Sequence, residues 1–128
     1  MAQLTGINLG TGRTATAITA GSGDYSCALL DNASVKCWGW NYFGQLGIDN
    51  TTDMGKTSGS MDLLTSIDLG TGRTATAISA GFLHSCALLD NASVKCWGYN
   101  FHGQLGIDNN TPMGDNTGEM AVLPSIDL

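Results

Sequence analysis

One stretch of this sequence occurs twice without a single change. SCALLDNASVKCWG occupies Ser26–Gly39 and returns at Ser85–Gly98, and GQLGIDN follows in both places, at Gly44–Asn50 and Gly103–Asn109. A chain of 128 residues suits one compact domain, but identical blocks this long make it a tandem pair. We place one repeat at 1–66 and the other at 67–128. The second ends in a third copy of a short segment, LLTSIDL at Leu63–Leu69, which also appears as QLTGINL at Gln3–Leu9 and VLPSIDL at Val122–Leu128. Each of these reads as a candidate strand.

Within the identical block, two apolar runs flank Asp31-Asn32-Ala33 and Asp90-Asn91-Ala92. Asp and Asn favour turns because their short side chains bond nearby backbone groups. A three-residue hairpin loop commonly ends in a residue at positive φ. That position falls on Ala33 and Ala92, where glycine would be easier, so local strain is expected there. This loop puts Cys27 opposite Cys37 and Cys86 opposite Cys96. Opposed residues of antiparallel strands have Cα atoms roughly 4.5–5.5 Å apart, within disulfide range. The four cysteines thus read as one cystine per hairpin, with buried free thiols as the alternative. Zinc does not suit them, since C-x9-C in one hairpin has neither CxxC spacing nor histidines nearby. Alternation places Cys27, Leu29, Val35 and Cys37 on one side and Ala28, Leu30 and Trp38 on the other. Both sides are largely apolar, so the hairpin should be covered from both faces.

The rest of the chain offers little chemistry. GTGRTATAITAG at Gly10–Gly21 and GTGRTATAISAG at Gly70–Gly81 read as a turn and a strand. They lack the GxxxxGK[ST] and following helix of a phosphate loop. The copies differ at Ser22–Tyr25 against Phe82–His84, one residue shorter, as a surface loop permits. No nucleophile recurs beside His84, which reads as a solvated or hydrogen-bonded loop residue. Aromatic residues follow each hairpin: Trp40, Tyr42 and Phe43 in the first copy, and Tyr99, Phe101 and His102 in the second. They pack together or contact a ligand. Asp49, Thr51 and Asp53 faintly resemble a calcium loop, but Met54 stands where its glycine is required. The polar connectors 51–62 and 110–121 read as exposed loops. Asn32, Asn50, Asn91 and Asn109 each begin an N-x-[ST] sequon, which matters only in a glycosylating secretory route.

The balance of charge excludes some partners. Net charge is −6 and the pI is about 4.3, which disfavours nucleic acid and anionic membrane surfaces. No stretch approaches the ~20 apolar residues of a membrane helix. With 18 Gly, 2 Pro and 12% charged residues, many turns and short strands are expected. No secretory signal is visible at the start, and an extracellular location is expected only if the cystines form.

AISAGFLHSCALLDNASVKCWGYNFHGQLG resembles a repeat of the RCC1 (regulator of chromosome condensation) family, in its bacterial two-cysteine variant. Ala80, Gly81, His84, Ser85, Ala87, Leu88, Leu89, Val94, Trp97, Gly98, Asn100 and Gly103–Gly106 match the pattern. The first copy matches equivalently but lacks the histidine. The resemblance implies an all-β fold made of β-propeller blades of four antiparallel strands, two blades per chain. It also implies that Trp-Gly lies in a buried strand with GQLG as a tight turn beside it. Family members usually carry about seven blades.

Two blades cannot shield their own flat faces, since repeat architectures generally need three or more units and capped ends. The expectation is therefore a non-enzymatic propeller unit completed by oligomerisation: a trimer, a tetramer or an open head-to-tail filament. The third SIDL-type segment is expected to complete a neighbour's blade. The alternatives are a protein- or glycan-binding module using the variable loops, and a designed or trimmed propeller fragment. No catalytic constellation, cofactor or metal site is expected.

Overall fold

The computed structural model describes residues 4–128. Gln3, where the first SIDL-like segment begins, lies outside the described residues. The chain forms two three-stranded antiparallel sheets in simple meander order. The first holds β1 (Ala15–Gly21), β2 (Tyr25–Leu30) and β3 (Val35–Gly39), and the second holds β4 (Ala75–Ala80), β5 (His84–Leu89) and β6 (Val94–Gly98). We call them blade 1 and blade 2.

The central hairpins have the register that the repeated block predicts. Cys27 faces Cys37 and Cys86 faces Cys96, and both pairs are disulfide-bonded. Ala33 and Ala92 adopt φ of 65° and 68°. The loop offsets that strain locally: the Asn32 side-chain oxygen accepts from the Ser34 amide and hydroxyl, and Asn91 does the same for Ser93. Each first strand carries a bulge at its threonine, between Ala15 and Ala17 and between Ala75 and Ala77. There the hydroxyls of Thr16 and Thr76 turn back to Leu29 O and Leu88 O. A bulge of this kind strengthens the local twist of a sheet.

The blades are narrower than expected. In place of a fourth strand, Gly39 forms one antiparallel bridge with Met54, and Gly98 forms one with Met113. Gly55 and Gly114, both at φ 96°, then turn the chain away, which ends the pairing after one rung. The SIDL segments are also not laddered strands. They run extended, and the second and third touch the preceding third strand through one backbone bond each, Ile67 N to Val35 O at 2.9 Å and Ile126 N to Val94 O at 2.8 Å. Val122–Leu128 thus lies on its own chain's blade 2, with Leu123 buried in the core, rather than projecting to a neighbour. Where exposed loops are expected, the polar connectors each contain a short helical turn: a 3₁₀ turn at Ser60–Leu63 and α1 at Glu119–Val122.

The core sits between the blades. Tyr25, Cys27, Leu29, Val35, Cys37 and Leu46 from blade 1 pack on Ile67, Leu69, Ala75, Ala87, Leu89, Trp97, Met120 and Leu123. We call this side of blade 1 its rear and the opposing side of blade 2 its front. Ala28 and Leu30, on the other side of the first hairpin, are buried as well.

Candidate functional site

The junction between the blades is held by polar groups as well as by the apolar core. GQLG makes this possible. In each copy an asparagine, Asn41 or Asn100, is wholly buried and staples the loop. Asn41 accepts from Leu46 N and donates to Asn50 O and Thr52 O, and Asn100 repeats these bonds with Leu105, Asn109 and Thr111. The staple presents the Gln45 carbonyl to blade 2. Trp97 Nε1 donates to it at 3.2 Å, and Ser85 Oγ lies 3.0 Å away. The same hydroxyl is 2.9 Å from the Tyr25 hydroxyl, which donates to the His84 carbonyl. Farther along the loop, Asp49 accepts from Gly118 N and Met120 N, the amides that open α1. Gly44 lies so close to blade 2 that an added Cβ would come within 2.5 Å of Asp115 N.

On both outer faces some of the same residues lack that cover. Leu64 and Ile67 are 4% and 6% exposed where they pack at the junction, whereas their counterparts Leu4 and Ile7 at the front of blade 1 are 72% and 60% exposed. Ile7, Leu9, Ile18, Ala28 and Trp38 line an open groove of about 330 Å³ on that front. At the rear of blade 2, Leu88 is 41% exposed where Leu29 of blade 1 is 7% exposed. Cys86, Ala77 and Val94 line a shallow groove beside it.

A second feature is aromatic. The six residues singled out in the sequence come together, and Phe82 joins them. Trp40 stacks on Tyr42 at 6.0 Å, Tyr42 meets Phe43 at 4.9 Å, and Phe43 meets Tyr99 at 4.8 Å and Phe101 at 5.8 Å. Phe82 and His102 flank Tyr99. Trp40, Tyr42, Phe82 and Phe101 are all exposed. Phe82 had no signal of its own, because it sits where the two copies diverge. Thr51, Thr52, Asp53, Lys56 and Thr57 extend the patch from Trp40 and Tyr42 as an open groove.

The remaining polar candidates have structural partners. Asp49 binds the α1 amides, and Asp53 accepts from Asn41 N and from Lys56, whose ammonium at 2.9 Å holds the Asp53 carboxyl below its usual range. These two carboxylates, considered for calcium, are therefore already engaged. His84 opens β5, with Nδ1 3.2 Å from Phe82 O. Asn32, Asn50, Asn91 and Asn109 are all exposed. Asp115, tucked under Gly44, has a carboxyl pushed up to about 6 by burial and by the neighbouring Glu119. Among the described residues no three His, Cys, Asp or Glu side chains cluster as a metal site, and no helix is long and apolar enough to cross a membrane.

Comparison with known proteins agrees with this geometry. The model of the regulator of chromosome condensation (RCC1) repeat matches residues 15–45 and 75–104, one match per blade. The ultraviolet-B receptor UVR8 of Arabidopsis thaliana is 29% identical over 97 residues, covering 73% of this chain and 20% of the receptor. Among solved structures, human WBSCR16 superposes with a TM-score of 0.66 at 23% identity, over 82% of this chain and 25% of that one. Yeast RCC1 (Prp20), solved bound to Kap60, gives 0.56 at 23% identity, over 77% of this chain and 23% of its own. The chain thus spans about a quarter or less of each of these three relatives. With two matched repeats, a Trp-Gly third strand that is buried in blade 2 and half-buried in blade 1, and the Asn-stapled GQLG turn in each blade, the chain belongs to the RCC1-repeat family of β-propeller proteins.

Proposed function

We propose that this chain is a non-enzymatic propeller unit, divided at 66/67, that associates head to tail with copies of itself into a closed ring of three or four chains or an open filament. One observation carries the reading: Leu29, Leu64 and Ile67, buried at the internal junction, have exposed counterparts in Leu88, Leu4 and Ile7 on the two outer faces. Leaving such faces in water costs roughly 25 cal/mol for each Å² of apolar surface. A heterologous contact of this kind closes when the rotation permits and otherwise propagates. Light scattering and native mass spectrometry of the 128-residue chain at micromolar concentration test it. Multiples of the 13.3 kDa chain mass are expected, with and without reductant. A stable folded monomer rejects the proposal.

The aromatic patch favours a second role for the same unit, binding of a protein or a glycan. Seven exposed or half-exposed aromatic and histidine rings in mutual contact are more than loop packing requires, and amphipathic rings are efficient binding anchors. Yeast RCC1 in complex with Kap60 is a related propeller that binds protein. A glycan array together with a titration of the double variant Tyr42→Ala/Phe101→Ala against any ligand found tests this. Binding that survives the double variant sinks it.

A further inference from the structure

We infer that the rear of blade 2 receives the front of blade 1 of a second copy in the register of the internal junction, with the Gln104 carbonyl and the Asp108 carboxylate as acceptors for Trp38, Ser26, Gly59 and Met61 of the partner subunit. This rests on the head-to-tail reading above and fixes its atoms. Each acceptor has a working counterpart inside the chain. Gln45, whose carbonyl takes Trp97 Nε1 and faces Ser85 Oγ, corresponds to Gln104. Asp49, which binds Gly118 N and Met120 N, corresponds to Asp108. The backbone presents both pairs alike: Asp49 and Asp108 share φ of 60° and 61°, and the Asn staple that aims the carbonyl is complete in both loops.

The donor side is equally matched. Ser26 and Trp38 belong to the identical block, as Ser85 and Trp97 do. Gly59 and Gly118 open their helical turns at φ 82° and 83°, with no side-chain cap on either. Gly59 N and Met61 N therefore stand as Gly118 N and Met120 N do. The GQLG loop at the acceptor end is open, and in this register the partner subunit's Leu4–Leu9 gives way to Leu123–Leu128, which already fills the place that Leu63–Leu69 takes inside the chain. A Cβ on Gly44 would strike blade 2, but nothing lies within 4 Å of one built on Gly103. Substitutions, among them Ser60 in place of Glu119, make the outer junction differ from the inner one. Lys56 replaces Asp115, so the carboxyl pair of the inner junction has no equivalent, and a cation is added to an acidic chain. His84 replaces Tyr25 beside the serine.

Two variants decide the polarity, because each changes a side chain that is exposed in the single chain. Leu88→Glu spoils only the rear of blade 2, and Ile18→Glu only the front of blade 1. Each alone is expected to weaken association by roughly 100-fold, since a charge buried without a partner is costly. Mixed in equal amounts, they should form a one-to-one dimer that grows no further, joined through the intact rear of one and the intact front of the other. Asp108→Ala should weaken assembly of the otherwise unaltered chain by about 10-fold, the effect of losing charge-assisted bonds to amides. Circular dichroism of each variant confirms that the fold is retained. A monomeric wild type sinks the association itself. An oligomeric wild type whose assembly ignores Leu88→Glu or Asp108→Ala, or either face variant dimerising alone, overturns this register.

Discussion

Leu29 and Leu88 occupy the same place in the same repeated sequence, yet one is 7% exposed and the other 41%. Val35 and Val94, Gln45 and Gln104, and Gly44 and Gly103 divide the same way: the blade 1 member is buried and the blade 2 member is not. The local fold of each pair is shared, since hairpin register, cystine, positive-φ alanine and Asn staple are duplicated. What differs is the neighbour. Burial here is a property of the stack rather than of the repeat, as expected where units contact only the next unit.

The sharpest way to break this comparison is to remove the tryptophans one at a time. Trp97 is fully buried at the junction and Trp38 is half-buried at the open front. Trp97→Ala should cost about 3–5 kcal/mol in urea unfolding, and Trp38→Ala less than half as much at concentrations where the chain is monomeric. Equal losses would mean that the front of blade 1 is already covered. Next come the serines. Ser85→Ala removes a buried hydroxyl from beside Gln45 O and the Tyr25 hydroxyl, and should cost roughly 1–2 kcal/mol. Ser26→Ala, at the uncovered face, should stay within about 0.5 kcal/mol.

The smallest effect concerns acid. Burial first, and then Glu119, raises the Asp115 carboxyl from its ordinary 3.8 to about 6. A group raised on folding adds stability that is full below its unfolded value and is lost as pH climbs through the folded one. Glu119 has the opposite sign. Burial alone would raise it, but hydrogen bonds from Asp115 and Asn116 hold it below its ordinary 4.5, so its contribution is lost as pH falls. Asp115→Asn should therefore abolish a shallow decline in melting temperature between pH ~4 and ~6. Blade 1 carries Lys56 at this position and has no such pair, so Lys56→Asn should leave the decline in place. A decline that persists in Asp115→Asn would assign it to other groups.

Much of the hairpin was legible because its signals are local. Asp-Asn-Ala between apolar runs places the loop, the loop places the register, and the register pairs the cysteines. The six clustered aromatic and histidine positions were legible as candidates for a related reason: they recur at one offset after each hairpin. The junction was not. Gln45 works through its backbone carbonyl, which no side-chain pattern reports, and Asp49 read as a failed calcium ligand because its amide donors lie about seventy residues away on α1. The helical turn α1 was not legible because part of what holds it, the Asp49 carboxylate, comes from the other blade. Four strands became three because a glycine at φ 96° ends each outer bridge, and a positive φ is not written in the letter G alone.

The three related SIDL segments outnumber the two blades, and this sets a rule for linking copies. Val94 O already holds Ile126 N, the role that Val35 O plays for Ile67 N. A docked second copy would bring its own Leu4–Leu9 to a groove that Leu123–Leu128 has filled. One polypeptide built by joining such pairs end to end would thus carry a surplus strap at every seam, and trimming either of the two would restore an even spacing from blade to blade.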